Sequence, residues 1–134
     1  MEVPILLVAD YANETSNGKL NVMGIFTNIY ASSFPTIHPQ LFLVTQITAS
    51  PAEYNRKFRL GIKLLDDDAM NTLANIETEV QVPNGQQGEL IRINFMIGLA
   101  NLLFPKPGTY EFCILIDNDQ KATLPIQLTL QQST

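Results

Sequence analysis

Few residues in this chain are of types that do chemistry, so each can be weighed in turn. Nucleophilic catalysis needs a nucleophile with a base in reach. The only histidine, His38, lies between Ile37 and Pro39 in a proline-rich segment; the only cysteine, Cys113, lies between Phe112 and Ile114 in an apolar run. A thiolate at Cys113 would need an electropositive setting that these neighbours do not supply, so the plain reading is a small packing residue. His38 reads as a loop side chain with no sequence partner to activate it. Phosphate-binding loops fail as well. Gly18-Lys19 lacks the earlier P-loop glycine and is followed by Leu20, and Gly85-Gln86-Gln87-Gly88 lacks dinucleotide spacing and leads into no helix.

Carboxylates are the remaining candidates. Asp66-Asp67-Asp68 ends one apolar run, and Asp117 with Asp119 ends another. Calcium takes several oxygen ligands, and some β-sandwiches collect aspartates from loops at one end. Against this, aspartate favours turns through its own local hydrogen bonds, and EF-hand spacing is absent. A glycosidase pair carries no specificity here, because with thirteen acidic residues some pair meets almost any separation.

The elements that would position these residues are strands. Phe58, Leu60, Ile62 and Leu64 alternate with Arg59 and Lys63, and Ile76, Thr78, Val80 and Val82 alternate with Glu77, Glu79 and Gln81. The same period runs through 91–97, 110–116 and 124–130, while 3–9, 20–31 and 41–49 are apolar enough to be strands. Turn residues separate them, among them Asn17-Gly18, Pro35 with Pro39, Asn84-Gly85 and Pro105-Lys106-Pro107-Gly108. The best helical candidate, Asp68 to Leu73, is too short to cover a sheet. These features predict an all-β fold, a two-layer antiparallel β-sandwich of about eight strands. Residues 1–134 form a single domain with no linker or repeat.

Composition narrows the partners. Apolar residues make up 46% and charged residues 16%, enough for one packed core. The net charge of -5 argues against nucleic acid and anionic membranes, which select basic patches. One cysteine and one histidine exclude a disulfide framework and a multi-histidine metal site in one chain. The acidic start at Glu2 and the lack of a long apolar run predict no secretion signal or membrane span and a cytoplasmic protein.

Several blocks resemble a known family. They are Leu7-Val8-Ala9-Asp10-Tyr11-Ala12-Asn13, Gly18 to Phe26, Phe34-Pro35, His38-Pro39, Phe104 to Phe112 and Ile116-Asp117. The family is a group of small bacterial proteins described only as a domain of unknown function. The resemblance is strong in those blocks and vague over 50–95. It implies a compact bacterial domain and brings no catalytic residues.

The reading that follows is a non-enzymatic binding or assembly module, with no metal and no cofactor. Phe34, Ile37 and His38, in a loop stiffened by Pro35 and Pro39, are the candidate partner-binding residues. The alternative for that loop is a sheet crossover with Phe34 and Ile37 tucked into the core. Leu6, Val8, Cys113 and Leu115 are the candidate self-association residues, because 3–9, 96–104 and 112–116 are apolar on both faces. If those segments share a sheet, their outer side chains form a patch that a dimer would bury. The alternatives are that a long loop covers the patch or that the segments lie apart. Two other functional classes stay open: a small-ligand protein or enzyme using His38, and a calcium-dependent sandwich.

Overall fold

A computed structural model describes residues 1–132 of the chain. Nine strands form: β1 (Glu2–Glu14), β2 (Leu20–Phe26), β3 (Asn28–Ala31), β4 (Thr36–Ala49), β5 (Lys57–Leu65), β6 (Thr72–Gln81), β7 (Ile91–Phe104), β8 (Gly108–Ile116) and β9 (Asp119–Leu130). They build a four-stranded sheet in the order β2-β1-β4-β7 and a five-stranded sheet in the order β3-β9-β8-β5-β6. All pairings are antiparallel except β3 with β9. The ninth strand corrects the expected count. Residues 20–31 do not form one strand, because the chain leaves the first sheet at Thr27 and joins the second as β3. No helix forms over 68–73: a turn closes from Asp66 to Ala69, with Ala69 at φ +57, and β6 begins at Thr72. No helix among the described residues is long and apolar enough to cross a membrane.

Alternation sets the core. Leu41, Leu43 and Ile47 of β4 meet Phe58, Leu60, Ile62 and Leu64 of β5 and Phe112 and Ile114 of β8, all fully or nearly fully buried. Each such side chain contributes about 1.5–3 kcal/mol relative to exposure. Tyr110, also in the core, donates its hydroxyl to the Lys106 carbonyl at 2.7 Å. That bond ties the Pro105–Gly108 turn to the sheet and explains why a tyrosine follows the Pro-Gly pair.

Two departures from regular strands shape the surface. The first is the β1–β2 hairpin. Ile5 pairs with Gln46, which pairs with Asn94 on β7. Glu14 lies nine residues beyond Ile5 on the same strand, so a straight β1 would carry it about 30 Å away. Yet the Asn94 side-chain amide donates to the Glu14 carboxylate at 2.7 Å and to the Gly18 carbonyl at 3.2 Å. The hairpin therefore turns back across the outer face of the four-stranded sheet. Ala9 and Val44 point away from the core by register, and both are fully buried.

The second departure lies near Pro39 and Asn101. Leu99 and Leu102 are both core residues although an odd separation puts them on opposite faces of a regular strand. Asn101, at φ +54, absorbs the change on β7, and β4 shifts with it, so the pairing of Ile37 with Leu103 and of His38 with Leu102 is kept. The shift turns His38 inward and leaves Ile37 58% exposed. Without it, Ile37 would share the inward face of Leu41 and Leu43.

Candidate functional site

The inward turn of His38 places it in a cleft of about 390 Å³ at one open side of the sandwich. β2 is an edge of the four-stranded sheet and β3 an edge of the five-stranded sheet, and the cleft opens where the chain passes between them. Phe26, Ile29 and His38 line it, and the Phe26 and His38 rings lie 5.8 Å apart. Ile25 and Tyr30, 61% and 60% exposed, stand at its rim, with Met23 further along β2 also exposed. Asp10 supplies its carboxylate. It sits across from Gly24, whose φ of +72 and missing side chain leave the carboxylate its space: a Cβ there would lie 2.5 Å from Asp10 Oδ2. Asp10 makes no ion pair among the described residues. His38 Nε2 is buried with no hydrogen-bond partner. The cleft is thus half apolar and half polar: Phe26, Ile29, Ile25 and Tyr30 stand beside Asn28, one carboxylate without an ion pair and one unpartnered imidazole nitrogen.

The expected partner-binding loop is not one surface. β4 begins at Thr36, so Ile37 and His38 are strand residues. Phe34 packs half-buried against the core, Ile37 faces solvent on the outer side, and His38 lines the cleft. Of the three, His38 alone reaches the site, where it joins Asp10, Ile25 and Tyr30, which sequence reasoning missed. The apolar, two-sided Gly24-Ile25-Phe26 run was the available signal.

The expected self-association patch is corrected in the same way. Leu6 and Val8 belong to the four-stranded sheet and point into the core, where Val8 is fully buried. Cys113 and Leu115 belong to the five-stranded sheet and lie outside the core cluster. The four side chains therefore share no face. On the outer side Cys113 pairs with Lys63 and Thr123, and Leu115 with Gly61 and Gln120, which breaks any apolar continuity.

Cys113 is 2% exposed, its sulfur 3.7 Å from a Glu111 oxygen. Burial first, and then the Glu111 charge, push the thiol above its ordinary range, which disfavours the thiolate.

The acidic turns are occupied by their own backbone. Asp66 accepts hydrogen bonds from the Met70 and Asn71 amides and from the Asn71 side chain at 2.7 Å. Burial raises its pKa, but these bonds outweigh burial and hold the carboxyl below the usual range. Asp117 accepts from the Arg59 amide at 2.9 Å and from Arg56 at 3.0 Å, and those two donors lower it in that order. Asp119 pairs with Lys121 at 3.2 Å. Asp66 follows one end of β5 and Asp117 packs at Arg59 near the other, so seven residues of strand, about 23 Å, separate the clusters. The two turns cannot share one cation. Among the described residues no group of three or more His, Cys, Asp or Glu is placed to hold a metal.

A family model described as a family of unknown function (DUF6941) matches residues 4–129, which takes in all nine strands nearly end to end. No curated protein matches the chain.

Proposed function

We propose, from the premise that the chain belongs to this family of unknown function, that the domain is a non-enzymatic binding module. In this reading the β2–β3 cleft takes an extended, apolar protein segment bearing one basic residue. A bacterial, cytoplasmic setting belongs to the same reading. The observation that carries it is the meeting, in one cleft, of exposed apolar Ile25 and Tyr30 with a carboxylate, Asp10, that makes no ion pair among the described residues. Exposed Ile25 and Tyr30 can bury against a ligand at little ordering cost, and unpaired Asp10 selects a lysine or arginine. The Cys113 thiol, raised above its ordinary range, and the hydrogen-bonded Asp66 and Asp117 offer no activated nucleophile, which favours binding over catalysis.

Panning a random-peptide phage library on the purified domain tests this. Selected peptides should place apolar residues at alternate positions beside one basic residue. They should lose at least about tenfold in affinity for Ile25→Asp or Asp10→Asn, equivalent to ~1.4 kcal/mol. If no selected peptide distinguishes these folded variants from the wild type, the reading fails. A small polar ligand is the second reading, favoured by the unpartnered His38 Nε2. It is supported instead if a small-molecule hit is lost in His38→Ala and unaffected by Ile25→Asp.

A further inference from the structure

We propose that two copies of this chain pair through β7, antiparallel across a two-fold axis, merging their four-stranded sheets into one. This goes beyond the cleft reading and stands or falls apart from it, because β7 and the cleft lie at opposite edges of the sandwich.

The four edge strands differ in how they are protected. β2 has seven residues and is kinked by Gly24 at φ +72; β3 has four. β6 carries Glu77 and Glu79. β7 has fourteen residues, and from Ile93 to Phe104 it contains no charged side chain and no proline. Lysines, bulges, shortness and charge are the usual guards against edge pairing, and β7 has none along that stretch except the irregularity at Asn101. Among the described residues its only strand partner is β4.

Side chains at this edge are also incompletely covered. Ile93, Phe95 and Ile97 of β7 and Leu73, Ile76 and Val80 of β6 point toward the core yet are only half buried. Between the two strands runs an open groove of about 580 Å³ lined by Leu73, Ile76, Leu99 and Leu102 among others.

The occupant must be a strand that is uncharged and apolar on both faces. β7 presents Phe95, Ile97 and Leu99 inward and Met96, Gly98 and Ala100 outward. Within this chain the strands 3–9 and 112–116 are similarly two-sided, but β1 and β8 are each already paired on both sides. The strand with the right chemistry and a free edge is β7 of a second copy. Charge points the same way. Each copy carries -5, so the copies repel overall and approach most readily along the uncharged stretch Ile93–Ala100 of β7. The regular, charge-free stretch Ile93–Ala100 spans about 26 Å and would supply about eight main-chain hydrogen bonds, within the range of a typical specific interface.

Light scattering behind size exclusion at micromolar concentration should give a particle of twice the chain mass. A single-chain particle at every concentration overturns the proposal. Amide hydrogen exchange locates the contact: protection across Ile91–Ala100 should rise with protein concentration while β2 and β6 stay unchanged. Concentration-dependent protection confined to other strands also overturns it. Ala100→Lys, at an exposed site, should yield a folded monomer by circular dichroism, and Met96→Glu is the second variant. A folded variant that remains dimeric sinks the proposal, and should both variants unfold, the exchange pattern of the wild type still decides.

Discussion

Replacing Gly24 by alanine should cost more than replacing Gly18, although both glycines have positive φ and lie in the same hairpin. Gly18, at φ +83, has nothing within 4 Å of an added Cβ, so Gly18→Ala isolates the backbone penalty, about 1 kcal/mol. At Gly24 the same methyl would meet Asp10 Oδ2 at 2.5 Å, Cγ at 3.0 Å and Cβ at 3.1 Å. The carboxylate oxygen can swing away, but Asp10 Cβ is fixed to the β1 backbone, so part of the overlap must be relieved by moving a strand. Overpacking of this size adds about 1–2 kcal/mol, for a total of about 2–3 kcal/mol. Asp10→Ala alone should change stability by no more than about 0.5 kcal/mol, since Asp10 is exposed and without an ion pair. In that background the two shortest contacts vanish, and the penalty of Gly24→Ala should fall by about 1 kcal/mol. Urea unfolding followed by far-ultraviolet circular dichroism gives all four corners of the cycle, provided the m-value stays constant. Equal costs at Gly18 and Gly24, with no coupling to Asp10, would refute the claim that Gly24 is kept small by the carboxylate.

Asn94→Ala should destabilise the domain by about 1–2 kcal/mol, because it removes the amide held by Glu14 and by the Gly18 carbonyl. Its mark is local: amides of Ala12 and Val22 should exchange faster while Ile62 and Ile114 do not, and a uniform change would contradict the fold-back of the hairpin. Asp117→Asn tests the acidic turn. Asp117 has a depressed folded pKa, so its contribution is present above the unfolded value of about 3.9 and is lost as pH falls through the folded value. Wild type should therefore be the more stable protein at neutral pH, with the difference closing in acid below that range. Asparagine also accepts the φ of +51 at this position, so the substitution adds no backbone strain, and a gap that stays constant with pH would refute the charge as its source.

The strands were legible where one face is buried and the other wet. Phe58 to Leu64 and Tyr110 to Ile116 alternate, and their inward faces are the core that alternation specifies. Two-sided apolar strands are visible in the sequence but their grouping is not, because a period-two pattern says which residues share a face of one strand and nothing about which strands share a sheet. Val3 to Ala9 is apolar on both sides because the hairpin tip returns over its outer face, a contact made at a sequence distance of 80 residues between Glu14 and Asn94. Residues 112–116 owe their outer Cys113 and Leu115 to a different sheet altogether.

The site was harder to read for a related reason. In the sequence His38 reads as a loop residue flanked by prolines, and it reaches the cleft only because β4 and β7 change their inward face together at Pro39 and Asn101. Neither residue announces that alone: a proline near the end of a strand is ordinary at a turn, and an asparagine is ordinary almost anywhere exposed. Asp10 carried still less signal, since its freedom depends on Gly24, fourteen positions away and known to be opposite only once the strands are paired. Met96 to Phe104 gives the contrasting case. Its lack of charge was plain in the sequence, yet charge-free sequence fits a buried central strand as well as an edge. The strand order decides between them, and at an edge the same residues change meaning from interior filling to an unguarded pairing surface.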